Sequence, residues 1–133
     1  MLEGARILVV EDDQAIREIL RIALTDECYE VTVACNGEEA LERLQGWTPH
    51  LIILDIMMPF MDGVTFRRRQ RELKLAPEAR LIVLSASRTA IPQSLELGAD
   101  LSVAKPFELD DLLDVVASTL ERYSTVTDIA RTI

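Results

Sequence analysis

Positive charge is scarce in this chain of 133 residues, which carries 14 Lys and Arg against 23 Asp and Glu for a formal net charge of −9. A grip on a nucleic-acid backbone needs clustered cations, so direct nucleic-acid binding is not expected. Long apolar runs are missing too. None approaches the roughly 18 residues of a membrane span, and no apolar region follows the opening Met1-Leu2-Glu3-Gly4-Ala5-Arg6. Neither a membrane segment nor a targeting leader is expected, and the location read from this is cytoplasmic. The two cysteines, Cys28 and Cys35, lie outside any CxxC or Cys/His cluster, which argues against a zinc site or a disulfide framework; both read as small apolar fillers. The five glycines, Gly4, Gly37, Gly46, Gly63 and Gly98, are too scattered for a P-loop or a GxGxxG turn, so a nucleotide- or flavin-binding protein is disfavoured. The single histidine, His50, follows Thr48-Pro49 at the entrance to an apolar run and reads as a loop residue, not a phosphodonor.

What is present is enough apolar content, 49%, for one core and one domain. Short apolar runs recur at residues 7–10, 31–34, 51–54, 81–84 and 101–104. Continuous rather than alternating, most of them read as strands buried on both faces of a parallel sheet. Helical spacing appears over 14–27 (Ile16, Ile19, Leu20, Ala23, Leu24), 38–45 (Ala40, Leu41, Leu44) and 108–122 (Leu109, Leu112, Leu113, Val116, Leu120). A further helix over about 64–74 is crowded by Arg67, Arg68, Arg69 and Arg71, which read as a solvated face. A short one is expected between Ser87 and Gly98, with Pro92 in its first turn. Alternating β and α units imply right-handed crossovers and a three-layer α/β fold. After residue 122 the periodicity fades, so residues 1–122 are expected to form the domain and 123–133 a tail or the start of a linker.

Four of the five strands end on a functional-looking side chain: Glu11 with Asp12, then Asp55, Ser85 and Lys105. In open α/β sheets ligands bind beyond the carboxyl ends of the strands, so these residues should converge on one crevice. Three carboxylates held close together repel unless a cation sits among them. All-oxygen ligands favour Mg²⁺, which keeps waters and commonly shares its shell with a phosphate oxygen. Lys105, one of only two lysines, would offer that phosphoryl group a point charge, and Ser85 a hydroxyl donor. A carboxylate in such company is a nucleophile towards phosphorus. Lys105 is accordingly expected to matter more to a phosphoryl group than to folding.

These residues resemble the receiver domain of two-component response regulators. Ile7-Leu8-Val9-Val10-Glu11-Asp12-Asp13 is similar to its acidic-pair strand, and Leu54-Asp55-Ile56-Met57-Met58-Pro59-Phe60-Met61-Asp62-Gly63 to its phosphoacceptor loop. Leu84-Ser85-Ala86, Gly98-Ala99-Asp100 and Lys105-Pro106-Phe107 supply three further motifs in order, so the resemblance covers about residues 5–122. It implies a flavodoxin-like (CheY-like) fold, with a five-stranded parallel sheet of order 2-1-3-4-5 and about five helices. It also implies Asp55 as phosphoacceptor, Glu11 and Asp12 holding Mg²⁺ together with Asp55 and the Met57 main-chain carbonyl, and Lys105 and Ser85 at the phosphoryl group. The donor would be a histidine kinase or phosphotransfer protein, acting on a signalling phosphoacceptor rather than an enzyme, a monomer or weak homodimer with an unidentified downstream partner.

The chain departs from the family pattern in three places. Ser102 stands three residues before Lys105, where the family usually has an aromatic; the span from Ser85 to Gly98 is short; and Arg67 and Gln70 replace apolar residues. An atypical output face is expected. The enzymatic alternative is a small phosphatase of haloacid-dehalogenase type, which resembles this pattern in its strand-end Asp and Mg²⁺ but expects a second Asp where Met57 stands. Asp13 and Asp62 read as helix caps, Trp47 as a partly exposed loop residue, and the Lys105-Pro106 bond as a candidate for the cis form.

Overall fold

A computed structural model describes residues 4–58, 61–86 and 97–132, with side chains as far as Glu121. Five strands, β1 (Arg6–Val10), β2 (Glu30–Ala34), β3 (Leu51–Asp55), β4 (Arg80–Ser85) and β5 (Leu101–Ala104), form one parallel sheet in the order β2-β1-β3-β4-β5. Among the described residues there are four helices: α1 (Gln14–Asp26), α2 (Gly37–Leu44), α3 (Gly63–Glu72) and α4 (Leu109–Thr132). The expected short helix falls on residues 87–96, outside the described residues, as do Pro59 and Phe60 of the loop after β3.

Successive strand residues point to opposite faces, and the core divides accordingly. Leu8, Val10, Ile52, Leu54, Leu81 and Val83 pack with Ala40, Leu41, Leu44 and Phe66 of α2 and α3. Ile7, Val9, Leu51, Ile53, Ile82 and Leu84 pack with Leu20, Leu24, Leu112, Val116 and Leu120 of α1 and α4. Each of the first three helices starts on a side-chain cap: Asp13 accepts from the Ile16 amide at 3.1 Å, Asn36 from Glu39 at 2.8 Å and Asp62 from Thr65 at 2.8 Å. Such caps stabilise by about 1 kcal/mol each, and they set the loops between strand end and helix start. Helix α3 is fixed most closely, because a Cβ on Gly63 would lie 2.9 Å from the Ile56 Cα. The start of α3 is therefore pressed against the end of β3, with the Gly63 amide donating to the Ile56 carbonyl at 2.9 Å.

Several expectations are corrected. Burial on both faces, expected of most strands, holds for β1, β3 and β4 but not for the edges: β2 is only partly covered, and Leu101, Ser102 and Ala104 of β5 are exposed. A continuous apolar run marks a strand without saying whether it has neighbours on both sides. Helix α4 runs on to Thr132 instead of ending at 122. Cys28 is not an apolar filler, since it is exposed at φ 68° in the turn that ends α1; Cys35 is half-buried, its Sγ 3.3 Å from a Glu39 carboxylate oxygen. The Lys105-Pro106 bond, by contrast, takes the cis form for which it was a candidate.

Candidate functional site

Because all five strands are parallel, their carboxyl ends share one edge. The register places Val10 opposite Leu54, Asp55 opposite Leu84 and Ser85 opposite Ala104. Glu11, Asp55, Ser85 and Lys105 therefore meet, as their spacing in the sequence requires. Glu11 is fully buried, Asp55 and Ser85 are each 3% exposed, and Asp12 stands at the open side. Carboxylate oxygens of Glu11, Asp12 and Asp55 lie within 4.8 Å of one another. Lys105 reaches in from the end of β5, its Nζ 2.7 Å from Glu11 Oε1 and 3.3 Å from Asp55 Oδ2. Asp55 Oδ1 accepts from the Met57 amide at 3.1 Å.

The cluster is electrostatically uneven. Burial pushes the Glu11 carboxyl up to about 7, against the pull of Lys105 and with the help of Asp55. Asp12 is also raised, by burial and by its nearness to Asp55. Burial draws Lys105 down, but Glu11 and Asp55 outweigh it and leave the lysine above its ordinary value. One atom remains unsatisfied: Glu11 Oε2 is buried without a hydrogen-bond partner among the described residues. A buried carboxylate oxygen with no donor, beside two other carboxylates, is what a hard divalent cation would satisfy. The donor set fits a divalent metal.

Lys105 is thus an ion-pair partner in the fold, although it was expected to matter little to folding. Met57 has its side chain 64% exposed and its amide committed to Asp55. Asp13 and Asp62 are caps, as expected. His50 lies at the opposite edge of the sheet, where its Nδ1 accepts from the Arg6 amide at 2.9 Å; burial and Arg6 hold its pKa below the ordinary value. Trp47 is partly exposed.

Two features escaped sequence reasoning. Arg17 donates to the main-chain carbonyls of Glu11 at 2.9 Å and Asp12 at 3.3 Å, pinning the acidic strand end to α1. Nothing in its local spacing marked it. The arginines of α3 are not all solvated: Arg67 is 9% exposed and Gln70 1%. Arg67 donates to the Leu97 carbonyl at 3.0 Å and to Gln70 Oε1 at 2.9 Å, while Gln70 Nε2 donates to the Leu75 and Ala76 carbonyls. The positions where an apolar pair was missing carry a buried polar network instead. Both Arg67 and Arg71 hold the Leu97 carbonyl beside Gly98, whose φ is 70°, a contact that no local signal in the sequence marks.

A doubly wound parallel sheet with a buried acidic cluster and a lysine at its carboxyl edge defines a phosphoacceptor type of signalling module. The chain matches the response regulator receiver domain over residues 7–117 and belongs to that family. Response regulator MprA of Mycobacterium ulcerans is 38% identical over 121 residues, which are 90% of this chain and 51% of that protein. The chain spans about half the length of the curated relatives it matches. A CheY-like receiver domain protein from Methanospirillum hungatei superposes with a TM-score of 0.83 at 30% identity, over 92% of this chain and 98% of that one. Response regulator TrrA of Thermotoga maritima, solved with Mg²⁺ and BeF, gives 0.75 at 37% identity, over 86% and 98%. The chain is a receiver domain of the two-component type with an acidic pocket suited to Mg²⁺ and to phosphorylation. Nothing supports the phosphatase alternative. No helix among the described residues is long and apolar enough to cross a membrane.

Proposed function

We propose that Asp55 is the residue phosphorylated, by a histidine kinase or phosphotransfer protein, and that the protein acts as a stoichiometric signalling switch in the cytoplasm. The observation that carries this reading is the environment of Asp55, buried at the end of the central strand with one oxygen on the Met57 amide and the other beside Lys105. An Asp55 carboxylate oxygen forms a bond to phosphorus as the nitrogen–phosphorus bond of the donor's phosphohistidine breaks and the imidazole leaves. Glu11, Asp12, Asp55 and the Met57 main-chain carbonyl would hold Mg²⁺. When bound, that ion supplies the positive charge that offsets the carboxylates and the oxygens of the phosphoryl group. Lys105 moves its ammonium from Glu11 towards the new phosphoryl oxygens, and Ser85 donates its hydroxyl to them.

An apolar groove of about 500 Å³, lined by residues including Ile16, Ile19, Phe107 and Leu109, opens beside Lys105. Its continuity with the acidic site suits the docking of the donor protein. Ser102 leaves no aromatic to move on β5, so the output is proposed to run through the Asp55 to Gly63 loop and α3. The switch unit is taken as residues 1–122, a monomer or weak homodimer, with 123–133 as a tail or the start of a linker into which α4 runs as far as Thr132.

The test is intact-mass analysis after treatment with a small phosphodonor and Mg²⁺. The wild type gains one phosphate and Asp55→Asn gains none. An equally acid-resistant, base-labile phosphate on Asp55→Asn would overturn the assignment.

A further inference from the structure

Helix α3 and the turn after it place three cations around a groove of about 130 Å³, lined by Arg67, Gln70, Arg71, Lys74, Leu75 and Pro77. Arg67 is the unusual member. It is 9% exposed, yet among the described residues its guanidinium meets only neutral acceptors, the Leu97 carbonyl and the Gln70 amide oxygen. Arg71 donates to the same Leu97 carbonyl at 2.9 Å, so two guanidinium groups converge on one oxygen. Burial and Arg71 together hold the pKa of Arg67 below its ordinary value.

Among the described residues no carboxylate pairs with Arg67, Arg71 or Lys74. Asp100 attracts Arg67 from a distance, but its carboxylate is engaged by Arg80 at 3.3 Å and by the Leu81 amide at 2.8 Å. The carbonyl end of a helix favours cations, which accounts for Arg71 and Lys74 at the surface. It does not account for a cation as buried as Arg67, because buried charges are costly unless paired. The local charge is also opposite to that of the protein: six of the 14 lysines and arginines lie between Arg67 and Arg80, against only Glu72 and Glu78, in a chain of net charge −9.

We propose that this groove binds a phosphate group. Two arginines and a lysine match a dianion better than the single charge of a carboxylate, and most of the guanidinium donors are not used among the described residues. The volume is well below the roughly 300–1,000 Å³ of a pocket that encloses a whole drug-sized ligand. The phosphate alone enters, and any organic remainder lies outside. Free phosphate and a phosphomonoester metabolite share this chemistry. The site is separate from Asp55 and does not depend on phosphorylation there.

The full-length chain is titrated with inorganic phosphate at constant ionic strength without Mg²⁺, following the Nε–H resonances of Arg67 and Arg71 and the thermal midpoint. Both resonances shift saturably and the midpoint rises, whereas acetate produces neither effect. Ribose 5-phosphate separates the two sources: a matching shift assigns a phosphomonoester, and a response to inorganic phosphate alone assigns the free ion. The double variant Arg71→Gln, Lys74→Gln relieves repulsion but gives up the Arg71 bond to the Leu97 carbonyl, so its midpoint is measured first without phosphate and its titration is read well below that midpoint. Its affinity falls at least about tenfold. Absence of saturation, an equal response to acetate, or an unchanged titration in the double variant would each overturn the site.

Discussion

Lys105 Nζ sits 2.7 Å from Glu11 Oε1, joining the ends of β1 and β5 across 94 positions of sequence. Glu11 is fully buried, so in the metal-free protein this lysine is the main compensation for its charge. Lys105→Ala is therefore expected to cost about 2 kcal/mol of unfolding free energy at pH 8, held to that size because Glu11 can take up a proton instead. At pH 5, where Glu11 is already protonated, the cost shrinks. Urea unfolding of both proteins at the two pH values checks this, and equal costs would show that Asp55 is the more important partner.

Stability of the metal-free protein should fall as pH rises from about 5 to about 8. The Glu11 carboxyl titrates near 4.5 in the unfolded chain and near 7 in the fold, so between these values the folded state keeps a proton that the unfolded state has released. Its contribution is complete below the lower value and lost above the upper one. Asp12, also raised, acts in the same direction from 3.8 upward, and the raised Lys105 contributes until the pH passes its own higher value. Saturating Mg²⁺ reverses the trend, because the metal needs the ionised carboxylates. Thermal melts across this range with and without Mg²⁺ decide it; a metal-free protein more stable at pH 8 than at pH 5 contradicts the assignment.

Gln70→Leu should destabilise by about 2–4 kcal/mol, since it strips a buried acceptor from Arg67 and a donor from the Leu75 and Ala76 carbonyls. Ala76 has a φ of 45°, so the turn that Gln70 supports is one that an alanine adopts only under constraint. Arg68→Ala on the exposed side of the same helix is the control, expected within about 0.5 kcal/mol of wild type. Comparable losses for both would mean that the amide network contributes little.

Gly98→Ala is expected to cost about 1–2 kcal/mol. Gly98 has a φ of 70°, and a Cβ there would stand 2.7 Å from the Arg71 guanidinium. In an Arg71→Ala background the clash disappears while the backbone strain remains, so the cost falls without vanishing. A double-mutant cycle measures that coupling. Full additivity would show that Arg71 simply swings aside.

Much of this was legible without coordinates. The apolar runs and helical stripes are local properties of the chain, and Asp13 and Asp62 reveal themselves as caps by preceding those stripes. Strand-end chemistry is legible for a similar reason: once strands are parallel, residues that follow them must share an edge, so Glu11, Asp12, Asp55, Ser85 and Lys105 assemble whatever the details of packing. Burial at the sheet edges was not legible, because the sequences of β2 and β5 do not say how much of each face is covered. Nor was the state of individual charges. That Lys105 leans on Glu11, that Glu11 keeps one oxygen unsatisfied, and that Arg67 turns inward to the Leu97 carbonyl depend on the angle at which each helix meets the sheet. Charge alone placed all four α3 arginines in solvent; packing drew Arg67 out of it, because the Leu97 carbonyl and the Gln70 amide offered acceptors that only the folded chain brings within reach.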